Sequence, residues 1–265
     1  MWAVPIVRFS RRFLRFRVRG LMVVVFVIGI WLGWLVRSAR IQREAVAEIE
    51  GVAGGVTYNW KWDKGESHPE GDPPAPQWLV DLIGVDYFGH VTIVVIYDTG
   101  AVTDATIEQV GRLTQLWRLT IIDSAGNDTS LVHLQGLTGL RCLDLGGVPV
   151  TDAGLTNLSG LRNLTQLCLP RTKLSDAGLV HLKGLTGLAE LNLWETQVSD
   201  AGLAHLKGLT NLVSLELGKT RVSDAGLVDL KGLTKLCYLG LGGSRVTAAG
   251  VNDLRQALPG LMINW

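Results

Sequence analysis

The chain has 265 residues, 47% of them hydrophobic, and a formal net charge of +1, a size that holds one or two domains. Nine arginines and no acid fall within residues 1–43, so the remaining body carries about −8, which excludes nucleic-acid binding through a basic stripe. No CxxC, HExxH, GxSxG or glycine-rich phosphate loop occurs, and Cys142, Cys168 and Cys237 fall in no metal-ligand spacing, so no cofactor, metal or catalytic residue is expected.

Residues 1–19 form a basic tail with six arginines, and Gly20 to Val36 follow without a charge. Seventeen residues at about 1.5 Å each cover roughly 25 Å, the short end of a membrane span. Trp31 and Trp34 stand where indole rings favour the headgroup region. Six arginines precede the span, while Glu44, Glu48 and Glu50 come soon after it. The positive-inside bias therefore predicts an uncleaved signal-anchor with a cytoplasmic N-terminus and the rest of the chain periplasmic or extracellular. The nearest small-x-small cleavage site, Ala45-Val46-Ala47, lies too far past the apolar run for a signal peptide.

Residues 37–101 read as a juxtamembrane helix, a linker and a cap. Ile41, Ala45, Ile49 and Val52 recur at helical spacing, and Gly54-Gly55 is expected to end that helix. Val56 to Trp62 alternates like a strand, Lys64 to Gln77 is a polar Pro/Gly-rich loop, Trp78 to Ile83 suits a short helix, and His90 to Tyr97 alternates again. Trp60 and Trp62 suit the core of a capping strand better than a ligand platform, and His68 stands alone in the linker.

From residue 102 to 265 the chain repeats with a 24-residue period, clearest in VTDAGLTNLSGLRNLTQLCLPRTK from Val150 and in the copies opening at Leu174, Val198 and Val222. Such a period marks a solenoid whose coils stack on their neighbours. Counted from the opening Val or Leu, positions 15, 18 and 20 are apolar in a short strand, and leucines at 6, 9 and 12 suit the inner face of a short helix. Ser or Thr at position 2 and Asp at position 3 are expected to cap that helix. Glycine at position 5 implies close packing between coils, and glycine at position 11 is expected to be a left-handed C-cap. His133, His181 and His205 at position 8, with lysines at position 10, read as a solvated helix face rather than a metal site. Cys142 and Cys168 would lie roughly 8 Å apart, beyond disulfide reach.

The pattern LxxLxLxxTxVTDAGLxxLxxL resembles the leucine-rich repeat. Its TDAGL segment resembles the cysteine-containing subclass of F-box adaptors, without that subclass's cysteine and with no F-box in the chain. It is more similar to bacterial proteins of planctomycete type, with many VTDAGLxHLKGLTxLxxLxL copies behind a basic signal-anchor. The resemblance covers residues 102–265. It implies an α/β fold: a right-handed horseshoe with a parallel sheet on its concave face, short helices on its convex face and, here, one transmembrane helix ahead of it. It implies no activity.

About eight parallel strands are expected, the first from His90 to Tyr97, with Val94, Ile96 and Asp98 taken as its concave-facing positions 17, 19 and 21. One extra residue is counted in the last copy before Leu261. Positions 17, 19 and 21 vary between copies while the scaffold positions barely change, as a recognition surface requires. Their densest cluster is Glu190, Asn192, Trp194 and Glu216, flanked by Arg171, Glu195 and Tyr238. An aromatic among carboxylates suits a protein or peptide partner, whereas Glu190 and Glu216 lack the base or nucleophile that catalysis needs. The sequence thus points to a membrane-anchored repeat protein that binds a protein or peptide. The alternatives are a structural spacer and, with reversed topology, an intracellular adaptor.

Overall fold

A computed structural model describes residues 11–63, 66–67, 71–97, 102–124 and 126–265. Residues 1–10 of the basic tail, His68 and Asp98 lie outside the described residues. The chain divides into two units, Met1–Ile41 and Gln42–Trp265.

The first unit is carried by helix α1 (Arg11–Gly51), which runs on into the second. It contains no proline, and from Gly20 it is long and apolar enough to cross a bilayer. Most of its large apolar side chains between Leu21 and Val36 are exposed, Phe26 at 68% and Trp31 at 56%.

In the second unit, the end of α1 becomes part of the cap. Ala45, Ile49 and Val52 enter the core, and Gln42 is buried with both ends of its amide used. Its Nε2 donates to Asp86 Oδ1 and to the Gly89 carbonyl, both at 3.0 Å, and its Oε1 accepts from the Val91 N–H at 3.0 Å. Tyr58 donates to the same Asp86 carboxylate at 2.9 Å, and burial, then the Asp86 charge, push its phenol pKa upward. The helix ends at Gly51 through Ala53, which is left-handed at φ 58°, rather than through a glycine pair. Gly54 is needed for closeness instead, since a Cβ there would lie 2.6 Å from the Ile49 side chain.

Strand β1 (Gly55–Tyr58) is shorter than expected, because Asn59–Lys61 turn into a 3-10 helix in which Trp60 stacks on Tyr58 at 4.6 Å. Two residues of the expected loop form β3 (Glu66–Ser67), paired with β2 (Trp62–Asp63). Helix α2 (Gln77–Ile83) and β4 (Val91–Tyr97) match their sequence patterns. β1 pairs antiparallel with β4 and closes one side of the sheet.

Seven further parallel strands follow β4: β5 (Arg118–Ile122), β6 (Cys142–Asp144), β7 (Gln166–Cys168), β8 (Glu190–Asn192), β9 (Ser214–Glu216), β10 (Tyr238–Gly240) and β11 (Met262–Asn264). With β1 they make one nine-stranded sheet in chain order, an α/β solenoid. Leu119, Leu143, Leu167, Leu191, Leu215, Leu239 and Ile263 stand in direct register, so the spacing is 24 residues through the last coil. The extra residue counted before Leu261 does not lengthen that coil: helix α7 (Ala248–Ala257) replaces the usual short turn, and Leu258 and Leu261 fill the core one position late. The first coil does differ. Ile93, not Val94, pairs with Arg118, a spacing of 25, so Val94 and Ile96 enter the core while Val95 and Tyr97 take the open face, with Ile93 on their side of the strand but buried. A one-residue slip reverses every side chain.

Between strands the chain forms α3 (Asp104–Gly111), α4 (Asp152–Leu155), α5 (Asp200–Leu203), α6 (Asp224–Leu227) and short 3-10 turns. Position 2 caps in some copies only: Thr151, Ser175 and Ser223 accept from the Ala153, Ala177 and Ala225 N–H groups, whereas Ser199 and Thr247 make no such bond. The aspartate does something else. Asp152 Oδ1 accepts the Ser175 N–H at 2.8 Å while its Oδ2 accepts the Ser175 hydroxyl, and Asp176, Asp200 and Asp224 do the same for Ser199, Ser223 and Thr247. Each carboxylate clasps the next coil rather than capping its own helix. Position-5 glycines make room for that clasp: a Cβ on Gly202 or Gly226 would lie 2.5 Å from the preceding Asp176 or Asp200. Position-11 glycines such as Gly160 and Gly208 are neither left-handed nor crowded, so the expected C-cap role is absent.

Candidate functional site

Position 22, just past each strand, sets the geometry of the sheet's open face. Asp123, Gly147, Arg171, Glu195, Lys219 and Gly243 are all left-handed there, with φ between 53° and 75°. Each of the first five donates its N–H to the position-21 carbonyl of the next coil at 2.7–2.8 Å, so the left-handed turn is tied by the hydrogen bond that stacks the coils. For a residue with a Cβ this conformation costs roughly 1–2 kcal/mol. Four of the six carry a charged side chain in spite of that cost.

Position 19 braces the same turn from within. Asp144, Asn192 and Glu216 accept the N–H of the residue two further on, at Gly146, Trp194 and Gly218, at 2.9–3.0 Å. Asn192 and Glu216, expected as free recognition groups, are therefore half occupied by their own backbone. Burial raises the Asp144 pKa, and the Gly146 N–H partly offsets the rise.

The predicted cluster comes together in part. Arg171, Asn192, Trp194 and Glu216, with Pro170, Gly242 and Asn264, line one open depression of about 510 Å³. Trp194 lies across Gly218, where a Cβ would meet its Cδ1 at 2.7 Å. The Lys219 ammonium stands 4.3 Å from the Trp194 ring centroid and 3.7 Å from the Glu195 carboxylate. A cation of the chain itself thus stands over one face of the indole. Glu216 folds over Gly240, and its Oε2 accepts from the Tyr238 hydroxyl at 3.3 Å. Glu190, exposed at the start of β8, does not line the depression, and neither do the exposed Glu195 and the half-buried Tyr238. Arg171 reaches 48 residues back, over Gly147, to Asp123 at 2.9 Å.

Lys219, Asp123 and Asn264 were missed in the sequence. A column drawn through position 22 shows the first two, but only the left-handed turn aims their side chains at the open face. The cysteines are free thiols. Cys142 donates to Gln166 Oε1 at 3.0 Å, and burial pushes its pKa up, as it pushes that of Cys168 to about 11. On the helical side, Lys207 and Lys231 pair with Asp229 and Asp253 of the next coil at 2.9 and 2.7 Å. Among the described residues no three His, Cys, Asp or Glu side chains are grouped to hold a metal ion.

No protein-family model matches the chain, and no curated protein matches it. Solved structures do. An internalin, inlF of Listeria monocytogenes, aligns over 60% of this chain at 27% identity with a TM-score of 0.52, and the chain spans 43% of that protein's length. Internalin C2 of the same organism aligns over 84% of this chain and 92% of its own at 21% identity, with a TM-score of 0.53. The plant peptide hormone receptor RGFR1 in complex with RGF2 matches over 59% of this chain and 25% of its own at 19% identity, with a TM-score of 0.41. The chain thus has a leucine-rich repeat solenoid fold, with one N-terminal helix long and apolar enough to cross a membrane.

Proposed function

We propose that the chain is a membrane-anchored binding protein whose sheet face takes up a protein or peptide, with residues 20–36 as the anchor and the N-terminus in the cytoplasm. The observation that carries this reading is the split between fixed and variable positions. Leucines and the Asp–Ser/Thr clasp repeat coil after coil to build the stack, while the open face changes at every coil and collects a tryptophan, an arginine and an acid around one depression. Strained charged residues at position 22 add weight, because a conformation costing about 1–3 kcal/mol persists only where the surroundings hold it, often at functional surfaces. Among the described residues the face shows no nucleophile–base pair, which favours binding over catalysis.

Pull-down with the full chain tests the site. Trp194→Ala combined with Glu216→Ala is expected to abolish partner recovery while circular dichroism stays unchanged; undiminished recovery removes the patch. Protease digestion of intact cells tests the orientation: repeats cleaved only after disruption of the inner membrane contradict the exported topology.

A further inference from the structure

A second depression, of about 760 Å³, lies at the opposite end of the strands and is lined in part by Trp117, Arg118, Arg141, Thr165 and Gln166. Arg118 belongs to β5 and Arg141 immediately precedes β6, its neighbour, so the two guanidinium groups flank one hollow. Neither makes an ion pair among the described residues. Arg118 is held in place, its guanidinium 5.2 Å from the centre of the Trp117 ring and its Nη2 3.9 Å from Cys142 Sγ, yet its buried Nε has no hydrogen-bond partner. A pinned cation is organised in advance for an anion, because little rotamer entropy remains to be lost on contact.

The same row of the sheet carries the opposite charge further along. Arg118, Cys142, Gln166 and Glu190 are in direct register on consecutive strands. Glu190 is exposed and makes no ion pair among the described residues. Three strand spacings of about 4.8 Å put it roughly 14 Å from Arg118, and Arg141, two strands away, about 10 Å or slightly more. Between the ends lie two uncharged side chains, hydrogen-bonded to each other through the Cys142 thiol and Gln166 Oε1. The Gln166 amide N–H groups make no hydrogen bond among the described residues. They suit a backbone carbonyl of an extended segment, which a helix, with its carbonyls bonded internally, does not present.

We infer that the open face takes an extended peptide segment laid across the strands, with an acidic side chain between Arg118 and Arg141 and a basic side chain at Glu190. At about 3.3 Å per residue, 10–14 Å makes these two charges three or four residues apart. This inference rests on the face being a binding surface, and it adds the charge order and spacing of what binds there.

The test selects peptides about twelve residues long, enough to cross the sheet when extended, from a random displayed library against the full chain in detergent micelles. The expected winners carry an acid three or four positions from a lysine or arginine. Their affinity is expected to fall about tenfold or more in Arg141→Glu and in Glu190→Lys, two exposed positions whose replacement leaves the core intact. The double variant is expected to prefer the same peptides with their two charges exchanged. Winners without the charge pair, or with acid and base about seven to nine residues apart as a helix rising 1.5 Å per residue requires, overturn the inference. So does affinity indifferent to both reversals. If that affinity is still lost in Trp194→Ala/Glu216→Ala, the binding face stands and only the charge order fails; if no peptide is selected at all, both fail.

Discussion

At the scale of single residues, the most informative feature is a column of left-handed turns occupied by the wrong residues. Glycine fits position 22 without strain and is found there twice, at Gly147 and Gly243, whereas Arg171, Glu195 and Lys219 hold the same conformation with a full side chain. Glu195 makes only a 3.7 Å exposed contact with Lys219, so its side chain contributes little to stability. Glu195→Gly is expected to leave the melting temperature unchanged or slightly raised. Glu195→Val is expected to lower the unfolding free energy by about 1–2 kcal/mol, because a β-branched residue is still worse placed at positive φ. Thermal denaturation of both variants measures the difference, and equal effects would mean that position 22 is not strained. In the sequence, position 22 reads only as polar and variable, since nothing in the identity of a glutamate announces a positive φ.

At the scale of the repeat element, two glycine columns that look alike in sequence have different physics. Gly202, at position 5, faces the preceding coil, and a Cβ there would lie 2.5 Å from Asp176 Oδ1 and 3.0 Å from Leu179 Cδ1. Gly208, at position 11, has nothing within 4 Å of the same atom and an ordinary backbone. Gly202→Ala is expected to cost about 1–3 kcal/mol through overpacking. Gly208→Ala is expected to stabilise by about 0.4–1 kcal/mol, through the smaller entropy of its unfolded chain. Denaturant unfolding of the two variants should move the midpoint in opposite directions. Close packing at position 5 was legible from the period alone. The position-11 reading failed because a glycine after a helix suggests a left-handed cap, and here the chain leaves the helix through ordinary turns. The aspartate column failed in a similar way: Ser-Asp at a helix start fits a cap, but its acceptors point to a coil that exists only once the chain is stacked.

At the scale of the whole molecule, stability is carried by contacts between neighbouring coils, and the Asp224 clasp makes it depend on pH. Asp224 has its pKa lowered, first by the Thr247 hydroxyl and then by the Thr247 N–H. A folded-state pKa below the unfolded value contributes stability that is present above the unfolded pKa, about 3.9 for an aspartate, and lost as the pH falls through the folded one. The melting temperature is therefore expected to drop as the pH falls from about 5 towards 2. Asp224→Asn should start lower at neutral pH and show a shallower acid limb. A variant with an unchanged acid limb would mean that Asp224 does not clasp the last coil. The geometry of the candidate cluster also belongs to this scale. Its members come from coils 24 residues apart and meet only because the strands stand in register, and Lys219 joined them through the curl of the chain after β9.

The sequence by itself determined the solenoid, its period, its eight parallel strands and the leucines that fill it, because a periodic pattern forces each coil to bury the same face against its neighbour. It also marked the long apolar helix and most of the variable column residues. Tertiary structure alone decided the register of the first strand, where a spacing of 25 rather than 24 exchanged core and open face. It decided too which coil each aspartate serves, and that the Lys219 ammonium stands over the Trp194 ring. Repetition encodes what is the same in every coil; contacts across coils depend on where side chains meet after stacking, and no single repeat contains that information.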